Sequence, residues 1–248
     1  MKKLFVVLSI IFFAAPFFAD SKNLVYNKSF DYKNINALSI SLTCENLKIS
    51  RIYGDEIVLE IGSNNIKKTP EVVLEQPEQE EASTLKITSV NKRSPLGFNC
   101  TVYVYLPQDF YAAQISISNM SGNIQADILN TQNAIYVSNM SGRTDIAASS
   151  SDYLSASSVS GNLTLQKISA EYFDIQNVSG NTFLELENSI EAKSRVTSVS
   201  GKIQIYYKRD CFASLAMTEK KNESPFLDDS PELFISTVSG KVETVPFD

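Results

Sequence analysis

Histidine is absent from the 248 residues, and with it the side chain that most often serves as a general base near neutral pH and as a metal ligand. Ser-His-Asp and Cys-His catalysis are excluded outright. Cysteine is scarce: Cys44, Cys100 and Cys211 are too few for a disulfide-dense mini-domain and lack the close spacing of a zinc site. An exported chain would allow one bridge. Cys44 and Cys100 are the candidate pair because both lie beside alternating apolar strands; the alternative is small buried hydrophobes that never pair. No basic surplus exists either, since 28 acidic residues outnumber 22 basic ones for a net charge of −6 with both signs interspersed. Nucleic acid and anionic membrane are therefore not expected partners. Neither a Gly-rich phosphate loop nor a Gly-Gly-x-Gly-x-Asp calcium array occurs, so no cofactor or metal is expected.

Long apolar runs are also missing, with one exception. Leu4 to Phe18 carries no charge and is apolar but for Ser9, yet it is only 15 residues long, short of the roughly 20 positions that span a bilayer. It follows Lys2 and Lys3 and closes on Ala19, the layout of a signal peptide over residues 1–19. Phe17 stands where a small residue is usual, so an uncleaved anchor is the alternative. Cleavage would leave 248 − 19 = 229 residues with no membrane span, exported to the periplasm, the cell surface or the medium. That length buries a substantial core as one elongated domain.

What the sequence has in abundance is a repeat. The tetrads Asn119-Met120-Ser121-Gly122, Asn139-Met140-Ser141-Gly142, Ser158-Val159-Ser160-Gly161, Asn177-Val178-Ser179-Gly180, Ser198-Val199-Ser200-Gly201 and Thr237-Val238-Ser239-Gly240 place glycines 20, 19, 19, 21 and 39 residues apart. The last interval reads as two periods with one copy overwritten. Seven residues before each glycine stand Ile115, Ile135, Leu154, Phe173, Ser194 and Leu233, and five before stand Ile117, Val137, Ala156, Ile175, Val196 and Ile235. After each glycine, pairs such as Ile124 with Ala126, Leu163 with Leu165 and Ile203 with Ile205 continue the alternation. Apolar residues two apart on both sides mean short strands flanking a turn.

A period of about 20 residues holding two short strands cannot bury its apolar face alone, so copies must stack in parallel register. The predicted fold is all-β: a parallel β-solenoid, right-handed by the usual chirality of parallel crossovers, advancing about 4.8 Å per coil. Gly122, Gly142, Gly161, Gly180, Gly201 and Gly240 are read as structural turn residues at one corner. Two arrangements of that corner are open. Either the column Asn119, Asn139, Ser158, Asn177, Ser198 and Thr237 turns inward as a polar ladder, or a bulge directs Met120, Met140, Val159, Val178, Val199 and Val238 inside. A leucine-rich repeat shares the period, but links such as Leu129 to Asn133 are too short and polar for its helix.

Residues 20–110 form degenerate coils or a cap. Leu38, Ile40 and Leu42 lead to Leu47 and Ile49, matching the later coils if Glu45 takes the glycine's place. The stretch from Lys67 to Ser83, with Pro70, Pro77 and five glutamates, reads as a solvated loop. Residues 111–248 hold the regular repeats, interrupted by a charged loop at 218–231 after a degenerate coil through Ile203, Ile205, Tyr207, Leu215 and Met217.

The recurrent Val-Ser-Gly unit, following a segment that ends in Val102-Tyr103-Val104-Tyr105-Leu106-Pro107, resembles the bacterial putative-adhesin family, a domain of unknown function related to the GIN head domain. The resemblance runs from about Phe30 to Val245 and implies a parallel β-solenoid with no catalytic residues to carry over. The expected function is a non-enzymatic, adhesin-like binding or scaffold protein of the envelope, its partner a glycan, a surface protein or another envelope protein. Tyr136, Tyr153, Tyr172 and Tyr206 are candidates for contact, though they form no clean column in sequence. The alternative is a polysaccharide-acting parallel β-helix enzyme using carboxylates. Columns such as Gln125, Asp145, Thr164, Phe183, Gln204 and Glu243 show acids scattered rather than consecutive, which argues against it.

Overall fold

The computed structural model describes residues 24–65, 67, 69–75, 83–90, 99–188, 190–208, 214–218 and 232–247. The expected signal peptide (1–19), Cys211 and all of the 218–231 loop except Thr218 lie outside the described residues. The regular part of the chain runs through β8 (Ala112–Asn119), β9 (Ile124–Ser141), β10 (Thr144–Ser160), β11 (Leu163–Ser179), β12 (Thr182–Leu186), β13 (Ser194–Ser200) and β14 (Lys202–Lys208). All of their pairings are parallel. The fold is β-solenoid-like. A 3-10 turn stands at Tyr32–Asn34.

Register follows the repeat. Ile124 faces Thr144, which faces Leu163, which faces Thr182, which faces Ile203. Ile115 aligns with Ile135, Ile135 with Leu154, and Leu154 with Phe173. Two stacks of strands face each other across this interior, one before the glycine corner and one after it. Leu154, Ile135, Ile175, Leu184 and Ile203 are wholly buried between them. Each such side chain removed from water stabilises the fold by about 1.5–3 kcal/mol.

The glycines stand in single file. A β-carbon on Gly122 would strike the Glu45 carbonyl oxygen, one on Gly142 that of Gly122, and so on through Gly161, Gly180, Gly201 and Gly240. Of the two arrangements left open, the structure takes the first. Asn119, Asn139, Ser158, Asn177, Ser198 and Thr237 are buried, whereas Met120, Met140, Val159, Val178, Val199 and Val238 are 47–63% exposed. The inward asparagines donate to the previous corner: Asn119 Nδ2 reaches the Glu45 carbonyl at 2.9 Å and Asn177 Nδ2 that of Gly161 at 3.2 Å. A second ladder runs along the residue after the glycine, where Asn123 Oδ1 accepts from the Arg143 amide and Asn162 Oδ1 from that of Asn181.

The first part of the chain is β1 (Leu24–Asp31), β2 (Ile35–Leu42), β3 (Asn46–Ile52), β4 (Glu56–Ser63), β5 (Glu71–Glu75), β6 (Ser83–Thr88) and β7 (Cys100–Pro107). Its coils are stacked out of sequence order: β2 pairs in parallel with both β6 and β8, and β3 with both β7 and β9. Glu45 takes the glycine's position in the file. Its buried carboxylate accepts from the Thr43 and Cys44 amides at 2.9 Å and from Ser89 Oγ at 2.5 Å. Antiparallel strands close this end, β1 on β4, β4 on β7 and β5 on β6. The stretch expected as a solvated loop therefore contains strand β5, whose Val72 packs against the core.

Arg51 locks the crossover that carries the chain over the β2–β3 coil. Its Nη1 donates to the carbonyls of Pro107 at 2.7 Å and Phe110 at 2.8 Å, and its Nε to that of Ile128 at 3.1 Å.

The 39-residue interval is one step, not two. β16 (Glu232–Thr237) pairs directly with β13, β17 (Lys241–Phe247) pairs directly with β14, and a β-carbon on Gly240 would meet Gly201. Strand β15 (Ser214–Thr218), expected in an intervening degenerate coil, lies beyond β16 as its outer parallel neighbour. The chain skips one rung and returns to fill it, because β16 carries the same alternating Leu233 and Ile235 as the coils it joins.

Candidate binding face

Alternation fixes what each coil shows to solvent. With Leu154 and Ala156 inward, Tyr153, Ser155 and Ser157 face out. The same rule brings out Tyr136 and Ser138 on one neighbouring strand and Tyr172, Asp174 and Gln176 on the other. The result is a flat grid, about 4.8 Å between strands and about 6.8 Å between successive outward residues along a strand. Parallel pairing puts Tyr153 beside Tyr172, and their rings stack at 4.7 Å. Tyr136 meets Tyr153 edge-on at 5.8 Å. The tyrosines thus form a cluster that their sequence positions did not reveal, because Tyr136 sits two residues out of register with Tyr153. Tyr206 lies elsewhere, against Phe183 at 5.3 Å.

Beside the rings runs a row of hydroxyls. Ser157 Oγ donates to Ser138 Oγ at 3.1 Å, and Ser118 Oγ to Ser41 Oγ at 3.2 Å. Asp174 anchors the next rung, accepting from Gln176 Nε2 at 3.1 Å and pairing with Arg195 at 3.3 Å. These exposed bonds contribute little stability, but they hold polar groups at fixed positions.

At the edge of this face, on the side away from the glycine file, lies a cleft of about 510 Å³. Asp152 and Glu171 line it, each immediately preceding a stacked tyrosine, together with Glu187, Glu191 and Lys208. Ser151 lines it too, only 8% exposed, its Oγ without a hydrogen-bond partner. These four acids, outside the columns whose acids are scattered in sequence, come from neighbouring coils. The columns counted from the glycine missed them because the links at this corner differ in length. Among the described residues no three carboxylates or thiols converge closely enough to hold a metal ion.

Cys44 is half-buried and Cys100 buried. Burial, then the Glu45 carboxylate, and more weakly Cys44, push the Cys100 thiol up to about 12 against the opposing effect of a hydrogen bond with Ser63. No helix among the described residues is long and apolar enough to cross a membrane.

The Toastrack DUF4097 family matches residues 35–219. No curated protein matches the chain. Among solved structures, a putative cell adhesion protein from Clostridium sporogenes is 13% identical, with 88% of this chain and 97% of that one covered at a TM-score of 0.47. A putative adhesin from Bacteroides fragilis is 15% identical, with 91% and 98% covered at 0.49. A putative lipid binding protein from Parabacteroides distasonis is 11% identical, with 89% and 96% covered at 0.33.

Proposed function

The chain belongs to the Toastrack DUF4097 family, and from that premise we propose that it is an exported, non-enzymatic binding protein of the bacterial envelope whose tyrosine-serine face recognises glycans. The observation that carries this reading is the Tyr153–Tyr172 stack, set on one flat face with the Ser138–Ser157 hydroxyl pair. Aromatic rings offer an apolar surface to the C–H side of a sugar ring, and hydroxyls and amides beside them bond its O–H groups. Parallel strands fix this grid before the ligand arrives, so little ordering cost falls on binding. The scaffold is one elongated right-handed solenoid of about 20 residues per coil, residues 20–110 forming its cap and 111–248 its regular coils. Export rests on Lys2, Lys3 and the apolar run to Phe18.

The test is a glycan array probed with the wild type and a Tyr153→Ala, Tyr172→Ala variant. Selective binding by the wild type should weaken by about tenfold or more in the variant, with melting unchanged because Tyr172 is 40% exposed. Binding indifferent to both tyrosines, or capture of envelope proteins alone, would refute the assignment.

One observation favours the second reading, carboxylate-assisted cleavage of a polysaccharide: the acids gathered in the cleft. Paired carboxylates on either side of a scissile bond are what that chemistry needs. Release of reducing ends from a bound glycan, abolished by Glu171→Gln, would establish it.

A further inference from the structure

We infer that the strands following the glycine corner, round from the tyrosine face, hold a second ligand site, a recess that takes the carboxylate of a uronic acid sugar. The sugar as source of that carboxylate rests on the glycan reading of the tyrosine face; the carboxylate itself is argued from the recess.

The recess measures about 310 Å³, with Asn46, Lys48, Tyr103, Asn123 and Arg143 in its lining, a volume at the small end of ligand sites. The ladder along the residue after the glycine decides what it offers. Asn46 Oδ1 accepts from the Asn123 amide at 3.0 Å, and Asn123 Oδ1 from the Arg143 amide at 3.0 Å. A backbone N–H can bond only the oxygen of a carboxamide, so each carbonyl is engaged and each Nδ2 group is left as a donor. Among the described residues no acceptor meets either Nδ2 group. The two amides stand on neighbouring rungs, about 4.8 Å apart.

Cations flank them. Lys48, two residues along from Asn46, shares its outward face; its ammonium lies over the Tyr103 ring at 5.7 Å and is in no ion pair among the described residues. Asp145, also in the lining, is engaged on Arg143 Nε at 2.6 Å, which leaves both Nη groups of that guanidinium as donors. A carboxylate set on the two amides thus has an ammonium beside one and a guanidinium beside the other, and charge-assisted bonds of this kind are about twice as strong as neutral ones. The Tyr103 ring, stacked with that of Tyr105 at 6.4 Å, gives an apolar wall for the C–H side of a sugar. Further down the stack the donors continue: Asn162 Oδ1 accepts from the Asn181 amide at 2.9 Å and Asn181 Oδ1 from the Lys202 amide at 3.2 Å. A polymer lying along the stack meets this rail rung after rung, so an oligomer of uronic acids suits it better than a single sugar.

Calorimetric titration of the protein with galacturonic acid oligomers and with the same oligomers methyl-esterified, at low and high salt, tests this. Esterification removes the charge and leaves chain length and linkage alone. We expect the free acid to bind about tenfold more tightly at low salt and the difference to shrink as salt screens it. Replacing Lys48→Gln and Arg143→Gln together should bring the two ligands level, with unchanged melting because both side chains are exposed. Tyr153→Ala with Tyr172→Ala should leave the preference intact, because those rings stand before the corner and the recess after it. Equal, tyrosine-dependent binding of both oligomers overturns this inference and leaves the reading of the tyrosine face standing. Binding of neither, while other glycans bind on the array, overturns it alone. A preference that survives the Lys48 and Arg143 replacements, or polyglutamate binding as tightly as the uronic acid oligomer, also overturns it.

Discussion

The side-chain amide of Asn139 donates to the carbonyl oxygen of Gly122, 3.0 Å away on the neighbouring coil, and also reaches Thr144 Oγ1 at 3.1 Å. That carbonyl is the atom a β-carbon on Gly142 would strike. One oxygen thus accepts an amide from one residue of the tetrad and requires the bareness of another. Asparagine and glycine recur together for that reason: the polar ladder and the tight corner are two views of one joint.

Asn139→Leu should destabilise the fold by about 1–3 kcal/mol, since it strips a buried carbonyl and a threonine hydroxyl of their donor. Asn139→Ser should cost less, because Ser158 fills the equivalent position one coil on. Urea unfolding monitored by circular dichroism measures both, and a leucine variant as stable as wild type would show the ladder to be dispensable.

Gly161→Val should be far more damaging than Gly54→Ala. At Gly161 any side chain collides with the Gly142 backbone, and the coil spacing cannot give locally; overpacking of this kind costs about 1–3 kcal/mol or more. Gly54 has φ +151° but open space around it, so alanine there meets only backbone strain. Comparable melting temperatures for the two variants would contradict the single-file corner.

Arg51 donates to three carbonyls on two separate segments, and burial holds its pKa below the usual value. Arg51→Met keeps the apolar stem and removes the donors. A loss of about 2–4 kcal/mol is expected, roughly that of several hydrogen bonds from a charged group, and hydrogen exchange should accelerate first around residues 107–111.

Cys100 should resist alkylation near neutral pH, because a thiol held up to about 12 has almost no thiolate. The same shift has a stability consequence. Unfolding returns the thiol to about 9, so between pH 9 and 12 the unfolded state loses a proton that the folded state keeps. Stability from this group is therefore complete below pH 9 and declines as pH rises toward 12. Tyr105, raised to about 12 chiefly by burial and then by Glu60, acts in the same direction above pH 10. Alkaline melts of wild type and Cys100→Ala should diverge in that window; parallel curves would exclude the thiol as a contributor.

The coil interior was legible because it is local. Ile115, Ile117, Ile124 and Ala126 alternate within one stretch, and strand geometry converts that alternation directly into an inside and an outside. Glu45 was legible for the same reason, its flanks matching those of the glycine corners. The tyrosine cluster and the acidic cleft were not, because Tyr136 with Tyr153, and Asp152 with Glu171 and Glu191, meet only after coils of unequal link length have stacked. Counting columns from the glycine loses register on the far side of the coil.

By itself the sequence determined that this chain builds parallel rungs with an apolar interior and a glycine corner, since period, alternation and positive-φ or contact requirements all act within a few residues. Only the tertiary structure decided which rung lies on which. The β2–β3 coil slides between β6–β7 and β8–β9, and β16 slips inside β15. The apolar pattern is nearly the same on every rung, so it makes any two of them compatible. Their order is chosen by long-range contacts, such as Arg51 bridging to Pro107 and Ile128, that no local pattern encodes.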